Sequence, residues 1–265
     1  MATRQGSPTY RPILSLMIVL TTLVLAGCTP AEVVPPLTVS SPTANLPNPS
    51  PTSPPTPTIE IPLIVEPSPQ VSPVATEIAL PPSAMITEIS GHEQTYELGC
   101  EASAAVDWAG YYDVLIYEST FQFELPLSDN PELGFVGNVT TDGWGQIPPD
   151  AYGVHAPPVA ELLRKYGLPA VAVKGMTLED VKAELAEGDP VIAWVIGNMV
   201  YSYPFKYVDQ AGNSVTVARY EHVVILIGYD ETTITYMNNG FLYSVPTEVF
   251  LTSWGVLGNM AVIHD

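Results

Sequence analysis

Cys100 closes the run Gln94-Thr95-Tyr96-Glu97-Leu98-Gly99-Cys100 and leads into Glu101-Ala102-Ser103-Ala104-Ala105, whose small and apolar residues predict a helix over Gly99 to Tyr111. A thiol in the first turn of a helix meets free N–H groups and the positive end of the macrodipole. Both favour the thiolate and nucleophilic reactivity near neutral pH. Gln94, six residues upstream, could present its amide N–H beside the backbone N–H of Cys100, a pair of donors suited to an oxyanion. The alternative is the commoner fate of a lone helical cysteine, a small buried packing group.

A thiol nucleophile needs a base within hydrogen-bond reach. The four histidines are His92, His155, His222 and His264. His222 opens the apolar run His222-Val223-Val224-Ile225-Leu226-Ile227-Gly228-Tyr229, so a strand would place its ring. It follows the cysteine by about 120 residues, the chain order of papain-type enzymes. His155 sits in a loop flanked by Gly and Pro and is read as structural, His92 as a surface residue, and His264 ends the chain. An acceptor that orients the imidazole should come from the neighbouring strand. Ile234, Tyr236 and Asn238 share one face of that strand by alternation, and Asn238 stands at its end. Its amide oxygen could accept from the imidazole, with Asn239 as the other choice. Asn238-Asn239-Gly240 is equally what a hairpin turn demands.

The elements that must position these groups follow from periodicity and turn chemistry. Further helices are predicted over Pro157 to Tyr166, ended by Gly167, and from Thr177-Leu178-Glu179-Asp180, a variant capping box, to Gly188. Strands are predicted over Pro190 to Ile196, Val200 to Val208, Ser214 to Ala218, His222 to Tyr229, Thr232 to Met237 and Phe241 to Val245. Helices first and an antiparallel sheet later make an α+β domain over residues 86–265.

With those residues in view, the chain resembles the double-glycine (bacteriocin-processing) peptidase-like family, family thirty-nine of the cysteine peptidases. The resemblance rests on Gln94 with Cys100-Glu101-Ala102, Asp129-Asn130-Pro131, Gly134-Phe135-Val136-Gly137-Asn138, Tyr152-Gly153-Val154 and the His222 strand. It implies a papain-like fold, with N-terminal helices packed on a C-terminal antiparallel sheet. It also implies Gln94 as oxyanion residue, Cys100 as nucleophile and His222 as base. Where many relatives carry Asp followed by Pro after the second strand, this chain has Asn238-Asn239-Gly240, and an amide stabilises an imidazolium less than a carboxylate does.

The N-terminal part has a different character. Arg4 and Arg11 flank the apolar run Ile13 to Leu25, which ends in Leu25-Ala26-Gly27-Cys28. That ending resembles a bacterial lipobox and predicts a signal peptide over residues 1–28, with Cys28 as the lipidated residue. Residues 29–85 are rich in Pro, Thr and Ser and are expected to form an extended spacer between membrane and domain. Both cysteines thus have tasks that require a free thiol or a thioether, and no disulfide is expected.

A net charge of −20 argues against nucleic acid, whose phosphates call for clustered Lys and Arg. Four dispersed histidines and one domain cysteine give no zinc-ligand spacing, no Asp-rich loop has the spacing of a known calcium site, and no cofactor is expected. The expected function is a thiol peptidase anchored by lipid on the extracytoplasmic face of the cell membrane, acting on a peptide or protein; oligomeric state is open. Two alternatives remain. One is a cell-wall peptide amidase, and the other is a non-catalytic binding module whose Tyr201, Tyr203, Tyr207 and Tyr220 grip a partner. Those tyrosines are read by default as strand packing.

Overall fold

The computed structural model describes residues 79–265; the expected signal segment with Cys28 and the spacer as far as residue 78 lie outside the described residues. In chain order the elements are β1 (Ala84–Met85), α1 (Cys100–Tyr111), α2 (Glu118–Glu124), α3 (Ala156–Lys165), β2 (Ala170–Val173), α4 (Leu178–Glu187), β3 (Val191–Ile196), β4 (Phe205–Val208), β5 (Ser214–Val217), β6 (Glu221–Tyr229), β7 (Thr233–Asn238), β8 (Phe241–Pro246), α5 (Thr247–Trp254) and β9 (Ala261–His264).

The main sheet runs β2-β9-β3-β6-β7-β8, and β1 adds to β6. Every pairing in it is antiparallel. β6 is central because all nine of its residues are buried, which requires cover on both faces as well as neighbours on both edges. Helices α1 and α4 pack on it, while α5 packs on β3 and α3 on β2 and β9. Ala102, Ala105 and Ala109 are fully buried in α1, and side chains this small let the helix axis come close to the sheet. Trp108, also fully buried, satisfies its indole N–H on the Pro190 carbonyl at 2.6 Å. Truncating such a tryptophan costs about 3–5 kcal/mol.

The capping box at α4 forms as expected, with Thr177 and Asp180 exchanging bonds, and Gly188 ends the helix in the left-handed region at φ 97°. Asn239-Gly240 is a two-residue hairpin turn between the paired residues Asn238 and Phe241, with φ of 51° and 75°. Both values are positive, as a type I′ turn requires.

Three expectations are corrected. The strand expected over Val200 to Val208 is confined to Phe205–Val208, because Met199 turns the chain at φ 59° and residues before 205 find no partner strand. Tyr201, Tyr203 and Tyr220 do not pack within strands; they lie outside the strands and are half or more exposed. Domain contacts also reach back before residue 86, since Ala84–Met85 pair with β6 and the Tyr229 hydroxyl donates to the Pro81 carbonyl at 2.9 Å. Helices α2 and α5 and strands β2 and β9 carry no strong periodic signal and emerge only from packing. Among the described residues no helix is long and apolar enough to cross a membrane.

Candidate active site

Cys100 is the first residue of α1, set there by Gly99, whose own N–H bonds to the Tyr96 carbonyl at 3.0 Å. His222 is the second residue of β6, opposite Val195 of β3. β7 pairs with β6 at Met237 and Ile225. Continuing that register puts Asn238 diagonal to His222 on the same face, the separation at which long side chains still meet. They do meet: His222 Nε2 lies 2.9 Å from Asn238 Oδ1. An amide oxygen can only accept, so Nε2 carries the proton and Nδ1 is left as the free acceptor. Asn239 is taken up by the turn.

Gln94, Asn238 and Asn239 line two adjoining hollows, one containing Cys100 and Val223 and the other containing His222, Trp144 and Glu97. The Gln94 amide donates to the carbonyls of Tyr96 at 2.7 Å and Glu97 at 3.2 Å, closing the loop that leads into α1. Trp144 was missed in the sequence. Its ring meets His222 edge to face at 6.1 Å, and its indole N–H donates to the Glu221 carbonyl at 2.7 Å. A tryptophan in an irregular Gly-flanked loop carries no local signal of such a role.

The surroundings of Cys100 depart from expectation. Sγ of Cys100 donates to Glu101 Oε2 at 3.4 Å, and among the described residues no hydrogen bond joins it to His222. Burial, followed by the charges of Glu101 and Glu221, pushes the thiol well above its ordinary range, against a backbone bond from Val223 that favours the thiolate. Removal from water outweighs the helix N-terminus that was expected to lower it. Burial also lowers His222, partly offset by the Asn238 bond. The resting pair is therefore a neutral thiol and a neutral imidazole.

Below Cys100 lies a buried acid pair that sequence reasoning did not single out. Glu101 and Glu221 are 1% and 2% exposed. Glu101 Oε1 accepts the Val154 N–H at 2.6 Å, while neither oxygen of Glu221 has a hydrogen-bond donor. Burial raises both, Glu101 to about 7 and Glu221 further, because Glu101 adds its charge. Cys100, Glu101 and Glu221 place one ligand-type atom each within 4.8 Å of one another. A divalent cation could be held there only by displacing the protons these groups retain.

The other histidines fall outside this cluster. His155 is fully buried, with Nδ1 on Glu132 at 2.8 Å and Nε2 on the Tyr152 hydroxyl at 3.1 Å, a tie that pins the loop before α3. His92 is not a free surface residue as expected. It bridges Asp107 at 2.6 Å and Glu118 at 3.1 Å, because α1 and α2 bring two carboxylates to it. His264 stacks on Tyr112 at 4.2 Å at the end of β9.

The family model described as the Peptidase_C39 like family matches residues 86–262. Among solved structures, a Bacillus anthracis protein assigned as a C39-like peptidase aligns with a TM-score of 0.61 and 23% identity, over 69% of this chain and 97% of that one. The peptidase domain of Streptococcus ComA aligns at 0.41 and 12% identity, over 67% of this chain and 98% of that chain. Xylellain, a cysteine protease from Xylella fastidiosa, aligns at 0.41 and 14%, over 71% and 87%. No curated protein matches the chain. The described domain thus has the α+β, papain-like fold.

Proposed function

The chain belongs to the Peptidase_C39 like family, and from that premise we propose that it is a thiol peptidase of the cell exterior, with Cys100 as nucleophile and His222 as base. The observation that carries this reading is the His222–Asn238 bond at 2.9 Å, which leaves Nδ1 unencumbered beside the crevice that Cys100 shares. Nδ1 would take the thiol proton as Sγ attacks a peptide carbonyl. Asn238 would hold the ring through both halves of the reaction. The oxyanion would be met by the Cys100 backbone N–H and by Gln94, re-aimed from its loop carbonyls. The imidazolium then returns its proton to the departing amine, leaving a thioester that water opens with His222 again as base. Lipidated Cys28 and the spacer that precedes Pro81 would hold the domain off the membrane surface.

A second reading, a binding module that keeps the fold without turnover, is favoured by one observation: the resting thiol bonds to Glu101 rather than to His222. A peptide electrophile that traps thiols separates the two. Fast capture at Cys100 near neutral pH, lost in Cys100→Ala and His222→Ala, supports the peptidase. A Cys100 that stays unlabelled while His222→Ala changes nothing would overturn it in favour of the binding module.

A further inference from the structure

The acid pair under the nucleophile is unexplained by the peptidase reading. Glu101 follows Cys100 on α1, and Glu221 precedes His222 on β6, so the two residues adjacent to the reacting groups point into the same buried floor. Glu101 accepts two groups there: the Val154 N–H at 2.6 Å and the Cys100 thiol at 3.4 Å. Glu221 has two buried oxygens and no donor. Two ionised carboxylates cannot be buried together without a compensating cation, and neither Glu101 nor Glu221 forms an ion pair with a basic side chain among the described residues. The two carboxylates lie within 4.8 Å of each other, so a proton held on Glu221 removes the second buried charge.

We propose that Glu101 and Glu221 share one proton beneath Cys100, and that the ionised Glu101 thus held latches the thiol to the floor, away from His222, as a positioning pair for the nucleophile. The proposal rests on reading Cys100 as the nucleophile. The groups that face the pair are few. α1 brings Cys100, and the loop before α3 brings Tyr152, a buried phenol kept neutral above all by desolvation. Beyond Tyr152 stand His155 and Glu132, and on β6 the adjacent residue is His222. β3 opposite carries only apolar side chains. Burial thus lifts Glu101 to about 7 with no counter-charge to offset it. Where Glu101 is ionised the latch is closed and the thiolate is opposed. Where it is protonated, the thiol faces only a weaker, neutral acceptor and is free to turn toward Nδ1 of His222.

The test uses the full chain and two isosteric variants. Alkylation by iodoacetamide is followed by mass spectrometry on the Cys100-containing peptide, and infrared spectra are taken at slightly alkaline pH. The wild type is expected to show the carbonyl band of a protonated carboxylic acid, and Glu221→Gln is expected to lose it. At pH about 8, Glu101→Gln should alkylate Cys100 about tenfold faster than wild type, the equivalent of one unit in thiol pKa. Glu221→Gln, which likewise adds no second charge beside an ionised Glu101, should stay within about twofold of wild type, whereas a purely structural role would disturb both variants alike. A wild-type spectrum without the acid band, or a folded Glu101→Gln that alkylates no faster, overturns the proposal. If Glu101→Gln does not fold, the infrared comparison of wild type and Glu221→Gln decides. Neither readout depends on turnover, so a chain without peptidase activity would defeat the proposed function and leave the acid pair standing, and the reverse holds equally.

Discussion

Asn238 orients the His222 imidazole with a neutral amide, and that choice sets the ring's proton affinity. Burial already lowers His222, and an amide oxygen restores less than a carboxylate would. Replacing Asn238 with Asp keeps an acceptor at the same place and adds a charge. With a neutral thiol–imidazole resting pair, the base is available only above the imidazole's pKa. Asn238→Asp should therefore move the acid limb of kcat/KM to higher pH, while Asn238→Ala should lower turnover without that shift. Cys100→Ala and His222→Ala should leave no measurable hydrolysis. Gln94→Ala should cost on the order of 100-fold to 1000-fold if its amide meets the oxyanion. A set of pH–rate profiles checks all of these, and an Asn238→Asp profile superimposed on wild type would remove the orienting role from Asn238.

At the scale of elements, the site is made where α1 points its N-terminus at β6 and the β7–β8 hairpin closes over the same end. The loop between α2 and α3 completes it, and Gly153 is the residue that lets it do so. Gly153 bridges to Val136 with φ 112°, and a Cβ on it would stand 2.0 Å from Glu101 Oε1. Only glycine combines that backbone with that closeness. Gly153→Ala should displace the Glu101 carboxylate from the Val154 N–H and destabilise the fold by about 1–3 kcal/mol. Gly143→Ala, whose Cβ would meet Glu97 Oε1 at an ordinary 3.5 Å, is the control and should change little. Urea midpoints of the two variants against wild type make the comparison, and equal midpoints would show that the floor tolerates a methyl group.

For the whole molecule, the proposal joins a folded domain to an N-terminal part whose reading rests on sequence alone. If the run Leu25-Ala26-Gly27-Cys28 acts as a lipobox, the mature chain should begin at a lipidated Cys28 and partition with membranes. Mass spectrometry of the mature N-terminus checks this, and an unmodified start at another residue would refute it. Residues 29 to 83 should be cut by added protease at a rate that does not follow domain stability, because their composition cannot bury a core. Cleavage there that slows in step with domain stability would argue against a spacer.

The residues proposed to carry the chemistry could be singled out in the sequence because local signals mark them: small residues after Cys100, an unbroken apolar run after His222, and Asn-Gly where the hairpin turns. Periodicity and turn chemistry are properties of neighbours in the chain, and they sufficed for α1, α4, β6 and the β7–β8 hairpin. The meeting of His222 with Asn238 could be anticipated for the same reason, since adjacent antiparallel strands have a register that the turn sets. What only the tertiary structure decided is everything that depends on burial and on distant partners. Glu101 reads in the sequence as a favourable acidic residue in a first helical turn. It becomes a buried acid that opposes its neighbouring thiol because packing against the sheet removes it from water, and desolvation is a property of the packed assembly rather than of any segment of chain.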